Sequence, residues 1–209
     1  MTDGELGPRA GRLPLIGGAL ALDFCNTTSG LAMAHCLEHL NEFEHLALWS
    51  AHAGAVTPAE AHRLRHLASS DPAAARAALE QALSLRRTLH DLFEALAHRH
   101  PPPGELLAAL NAALVPNLMA QRLVATPSGF AWHYPAPDDA LDGPLLPIAR
   151  SAADILLNEP LDRLKQCPGH DCGWLFLDRS KNNIRVWCEM EVCGARAKAR
   201  ARAERRHNC

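Results

Sequence analysis

Apolar positions at helical spacing organise most of this chain, and strict alternation is confined to a few short runs. Ala19–Thr27 is a short apolar segment that ends in the polar Asn26-Thr27-Thr28. Leu37, Leu40, Phe43, Leu46, Leu48 and Trp49 then predict a helix over 31–53, stopped by Gly54. Thr57-Pro58-Ala59-Glu60 opens another, with Thr as N-cap, Pro in the first turn and an acid close behind. Asp71-Pro72 repeats the device and starts a long helix to about His98, ended by Pro101-Pro102-Pro103. Residues 104–114 and 145–158 carry two further helical patterns. Between them Arg122–Ala125 and Phe130–Tyr134 flank Thr126-Pro127-Ser128-Gly129 and predict a β-hairpin, followed by a polar loop over Asp138–Gly143. The expected fold is mainly α with a small β-hairpin. A domain boundary is expected near Asn158-Glu159-Pro160, which separates a helical domain (1–160) from a C-terminal module (161–209).

The module carries the chemistry. Cys167-x4-Cys172 and Cys188-x4-Cys193 are matched pairs fifteen residues apart. Tetrahedral Zn2+ wants four soft ligands at about 2.3 Å, and two short loops deliver two thiolates each. Pro168 and Gly169 favour a tight turn in the first loop. The spacing predicts one structural Zn2+ on Cys167, Cys172, Cys188 and Cys193. Four thiolates leave no open position for catalysis. His170 is the alternative ligand. Trp174–Leu177 and Ile184–Trp187, joined by a polar turn, read as a second hairpin. The uninterrupted Ala195–Arg206 reads as a helix, which completes a treble-clef-like zinc module.

Cys25, Cys36 and Cys209 stand alone. The chain begins without a basic stretch followed by a long apolar run, and no segment approaches the roughly 20 apolar residues of a membrane span. A reducing, cytoplasmic setting is expected, with no membrane partner, and there the cysteine pairs bind metal rather than oxidise.

Charge adds a direction. The formal net charge is -2, yet residues 161–209 carry 11 Lys/Arg against 6 Asp/Glu, leaving an acidic remainder. Bound as Zn2+ with four thiolates, the module keeps about +3. Such asymmetry points to an anionic partner. Arg196, Lys198, Arg200, Arg202, Arg205 and Arg206 concentrate it on the last helix. At 100° per residue, Lys198, Arg202, Arg205 and Arg206 share one arc, Arg196 and Arg200 lie on the other side, and Ala197 and Ala201 fall between.

The run Cys167…Cys172-Gly173-Trp174-Leu175-Phe176-Leu177-Asp178-Arg179-Ser180…Arg185-Val186-Trp187-Cys188…Cys193-Gly194-Ala195-Arg196-Ala197-Lys198 resembles the CGNR-type zinc finger of bacterial proteins. Leu20-Ala21-Leu22-Asp23-Phe24-Cys25-Asn26-Thr27 resembles the opening of the ABATE helical domain that precedes it. The resemblance implies a stress-linked, DNA-binding transcription regulator rather than an enzyme, with a helical domain that senses or dimerises. It adds Arg185, which stands where the family pairs two arginines before Trp, to the DNA-contact residues. Ala195 replaces the Asn of the name motif and can neither cap the helix nor touch a base. Asp23 and Asn26 either line a small-molecule effector pocket or serve the fold, Asp23 by accepting backbone hydrogen bonds and Asn26 by ending its helix. The alternative function is a protein–protein adaptor whose finger packs on a partner or on its own helical domain. His35, His39, His45, His52, His62 and His66 include i, i+4 pairs, but no second metal site is expected from them. No nucleophile elbow, phosphate-binding loop or metalloprotease motif is present.

Overall fold

The computed structural model describes residues 9–30, 36–133 and 140–207. The expected helical start over 31–35, Tyr134 of the hairpin, the head of the loop at Asp138, His35 and Cys209 lie outside these residues.

Two proline-led caps set the middle of the chain. Helix α3 (Pro58–Ser70) begins in a capping box, with Thr57 Oγ1 accepting from Glu60 N while Glu60 Oε2 accepts from Thr57 N at 2.7 Å. Helix α4 (Pro72–Ala97) begins with Asp71 Oδ1 accepting from the amides of Ala73 and Ala74. Helix α6 (Leu145–Asn158) falls where the pattern places it, and α5 (Gly104–Ala120) starts as expected. It runs six residues beyond the predicted end, passing through Pro116, which removes one helical hydrogen bond without ending the helix. The hairpin forms as strands β3 (Arg122–Thr126) and β4 (Gly129–His133), paired from Arg122↔His133 to Thr126↔Gly129.

The first long helix is shorter than its pattern. Helix α1 (Leu20–Cys25) is followed by strand β1 (Thr28–Ser29), which pairs antiparallel with β2 (Leu37–Glu38), and α2 covers only Phe43–His52. The cause is Glu38. Its carboxylate takes the Leu40 amide and a two-pronged ion pair from Arg86 of α4, which pulls 37–42 out of helical geometry. Arg86 is buried and also donates to Thr27 Oγ1 at 2.8 Å.

Helices α1, α2, α4 and α6 enclose the main core around Phe24, Trp49, Leu89, Phe93 and Ile148. That core does not stop at Pro160. Strands β5 (Leu164–Gln166) and β6 (Leu175–Leu177) pair antiparallel, and Leu164, Leu175 and Leu177 belong to the same cluster. Strand β6 is buried on both faces. Leu175 and Leu177 point into the helical core, while Trp174 and Phe176, alternating with them, pack with Cys167, Cys188 and Cys193.

Both edges of β6 are also bonded. On one edge Cys167 N donates to Trp174 O and Asp178 N to Arg163 O. On the other, the carboxamide of Asn26 takes both backbone groups of Leu175, donating to its carbonyl at 2.9 Å and accepting from its amide at 2.8 Å. Leu177 N completes that edge by donating to Gly17 O. Asn26→Ala leaves a buried amide and carbonyl without partners, at about 1–3 kcal/mol each. Denaturant unfolding of this variant should show a loss of roughly 2–4 kcal/mol, and the helical body and finger should still melt in one transition.

Candidate metal centre

The sulfurs of Cys167, Cys172, Cys188 and Cys193 lie within 4.8 Å of one another, and Cys188 Sγ stands 3.5 Å from both Cys172 Sγ and Cys193 Sγ. A disulfide needs about 2.05 Å. Four sulfurs each 2.3 Å from a central Zn2+ would stand about 3.8 Å apart, so this spacing is that of metal ligands. Gly169 makes the cradle close. A Cβ there would lie 3.1 Å from Cys172 Cβ, 3.3 Å from Cys193 Sγ and 3.4 Å from Cys167 Sγ. Without a metal, hydrogen bonds from Cys172 and Cys188 hold the Cys167 thiol well below its ordinary range, while those shared bonds and burial push the Cys172 and Cys188 thiols up. A single Zn2+ replaces those shared protons and holds all four sulfurs as thiolates. His170 does not belong to the set; its Nδ1 pairs with Asp171 Oδ1 at 2.5 Å.

The expected second hairpin does not form. Ile184–Trp187 is not a strand, and β6 pairs with β5 instead. The reason is Asp178, which is fully buried. Its carboxylate takes Lys165 Nζ and the amides of Ser180 and Arg185, all at 2.7–2.8 Å. Lys165 Nζ also donates to the carbonyls of Asn183 and Arg185, so an ammonium occupies the groups that a strand ladder would use. Burial works against the charge on Asp178, yet these bonds hold its carboxyl well below the usual range. No local motif marks the Lys165–Asp178 pair in the sequence.

After the second cysteine pair, a five-residue π-turn (Met190–Gly194) leads into helix α7 (Ala195–His207). Gly194 lies at a crowded point of this turn. A Cβ there would meet Met190 Sδ at 2.5 Å and Trp187 Cδ1 at 3.1 Å.

The structure separates the basic residues. Arg185 turns inward, its guanidinium 4.2 Å from the Phe176 ring centroid and bonded to the carbonyls of Ile16, Trp187 and Cys188. On α7, Arg196, Ala197, Arg200, Ala201 and Glu204 face a cleft against the first knuckle, and Arg200 pairs with Asp171 at 3.4 Å. Lys198, Arg202, Arg205 and Arg206 belong to the other arc, and among the described residues no carboxylate pairs with them.

Models of known families match the chain in two blocks. The CGNR zinc finger covers residues 163–206. ABATE, described as a putative stress-induced transcription regulator, covers residues 18–159. The chain belongs to the ABATE family. No curated protein matches it. Both families are of regulator and zinc-finger type rather than enzyme families, and among the described residues no helix is long and apolar enough to cross a membrane.

The ABATE opening motif lies directly against the finger. Asp23 Oδ1 accepts from Gly17 N at 2.7 Å and fixes the turn whose carbonyls receive Leu177 and Arg185. Asn26 follows the last turn of α1 and reaches β6. Gly30 N donates to Cys172 O, and Trp174 Nε1 donates to Thr28 O at 2.8 Å. Thus the side chains of Asp23 and Asn26 bond to neighbouring backbone. Of the polar residues that join motif, body and finger, sequence reasoning missed Arg86 and Glu38, because an Arg in a helix and a Glu near a loop carry no local mark of burial.

Metal analysis of purified protein should give one zinc per chain. Gly169→Ala should weaken zinc retention against a competing chelator by about tenfold or more, since a displaced ligand costs at least about 1.4 kcal/mol. A second prediction concerns Asp23, whose pKa burial raises to about 6 against the opposition of the Gly17 and Ile16 amides. The folded state therefore holds this proton more tightly than the unfolded chain, so the contribution of Asp23 improves as pH falls through 6. Relative to Asp23→Asn, the protein should gain about 0.8 kcal/mol between about pH 7.5 and about pH 5.5, measured by denaturant melts with zinc bound.

Proposed function

We propose that this protein is a DNA-binding transcription regulator in which α7 contacts phosphates and the zinc site fixes that helix to the ABATE body. The supporting observation is the outer arc of α7: four cations without acidic partners among the described residues, on a helix whose other arc faces the knuckle. A helix can press one arc onto a duplex, and each neutralised phosphate adds about 0.9 to the slope of log affinity against log salt. Three or four contacts give a slope of about -3 to -4 per monomer, or roughly a 100-fold loss between 50 and 200 mM salt. Ala195 leaves little for base readout from the helix start, so positioning on the backbone dominates. Asp23, Asn26 and Arg185 then act through the orientation of the finger rather than by touching DNA or an effector.

The adaptor reading has one observation on its side, since the finger does pack on its own helical body. That packing uses β6 and leaves the outer arc of α7 exposed, so it is compatible with DNA contact. Binding of a fluorescent duplex, measured across a salt series, tests the choice. Replacing Lys198, Arg202, Arg205 and Arg206 with Ala should reduce affinity far more than replacing Arg196 and Arg200. Equal loss from both sets would contradict the arc assignment, and salt-insensitive binding would favour the adaptor.

Useful affinity from so modest a slope calls for a second copy. Val115, Leu118 and Met119 of α5 and Leu123, Phe130 and Trp132 of the hairpin are all exposed. A two-stranded hairpin with wet faces is marginal alone, and among the described residues only Arg150, 5.7 Å from the Trp132 ring centroid, lies over one of these rings. We place the dimer contact there. Sedimentation of Phe130→Ser should show monomers where the parent protein shows dimers, with the zinc content unchanged.

A further inference from the structure

A second group of ligand atoms lies beside the zinc knuckle and belongs to neither the four-thiolate site nor the basic helix. His90, Asp91 and Glu94 of α4 offer one nitrogen and two carboxylate oxygens, all within 4.8 Å of one another. His90 Nδ1 faces Asp91 Oδ1 at 3.6 Å and Glu94 Oε2 at 3.9 Å. Both separations are too long for hydrogen bonds. They are close to the roughly 3.4 Å between ligand atoms around a tetrahedral ion with bonds of about 2.05 Å. His90 is 8% exposed, and its Nε2 is buried with no partner among the described residues. Nδ1 is therefore the ring nitrogen turned toward the two carboxylates, and the unpartnered Nε2, on the far side of the ring, is not one of the ligand atoms.

We propose that His90 Nδ1, Asp91 Oδ1 and Glu94 Oε2 bind a divalent transition-metal ion, with Zn2+ or Co2+ fitting the mixed nitrogen and oxygen donors. The cluster is prepared from behind. Gln166 Nε2 donates to Glu94 Oε1 at 2.8 Å, which orients the carboxylate and leaves Oε2 for the metal. The three residues line one wall of an open cleft of about 440 Å3, and Cys167, Pro168, Gly169 and His170 line the other. The ion would thus sit between α4 and the knuckle that holds the structural zinc. Three protein ligands leave positions for water, so this ion exchanges while the four-thiolate zinc does not. Gln166, which steadies the Glu94 carboxylate, is followed in the chain by the ligand Cys167, so occupancy of the second site reaches the first through one residue.

The test uses the full, untagged chain loaded with one equivalent of Zn2+ and titrated with Co2+. The expected result is one further equivalent with weak visible bands and no thiolate-to-cobalt charge-transfer absorption. Asp91→Asn combined with Glu94→Gln changes two partly exposed side chains at constant size; it should keep the first zinc and reduce the affinity for the added Co2+ at least tenfold. His90→Gln, checked for its zinc content, should do the same. The proposal is overturned if Zn2+-loaded protein takes up no Co2+, if charge-transfer bands show that cobalt has entered the thiolate site instead, or if the double variant binds cobalt as the parent does.

Discussion

Strand β6 has only three residues, and it must satisfy four boundaries at once. Leu175 and Leu177 fill the helical core, Phe176 covers the zinc cluster, one edge is paired with β5, and the other would be a row of buried, unpaired backbone groups. The Asn26 carboxamide, which carries a donor and an acceptor at strand-like separation, closes that last boundary. No apolar side chain and no carboxylate can do this. A zinc knuckle alone buries little apolar surface, and a helical body alone would leave Leu175 and Leu177 unmatched. The two parts therefore share one element, and the orientation of α7 relative to the body follows from it.

Zinc then extends this order outward. Cys167 follows β5, Cys188 precedes the turn that launches α7 and Cys193 lies within it, so the metal transfers the rigidity of the β5–β6 pair to the base of the basic helix. The Asp178–Lys165 pair does the same for the irregular stretch between β6 and Trp187. Gly169 and Gly194 sit where a Cβ would press on the cysteine sulfurs or on the Met190 and Trp187 side chains. Cations on the outer arc of α7 consequently project from a fixed base rather than from a loose tail.

Much of this is legible without the structure. Local rules are written plainly: Thr57 and Asp71 cap the helices that follow them, the 145–158 pattern is a helix, and cysteine spacing identifies a metal centre. What fails to show are decisions made across long sequence distances. Ile184–Trp187 has a strand-like composition, but a lysine nineteen residues before Ile184 takes its neighbouring carbonyls. The apolar spacing over 31–53 suggests one helix because nothing near Glu38 announces a buried arginine 48 positions later. Asn26 reads as a helix end, and its reach to Leu175 spans 149 residues. Periodicity reports which face of an element is buried; it is silent on which backbone groups a distant side chain will claim.

Hydrogen exchange at two amides tests this architecture most directly. If β6 is shared by both cores, the amides of Leu175 and Leu177 in the zinc-bound protein exchange only through global unfolding, with the same opening free energy as buried amides of α1 and α4, while α7 exchanges faster. If instead Leu175 and Leu177 exchange at the rate of α7, ahead of α1 and α4, the finger opens independently of the ABATE body and the shared-strand account is wrong.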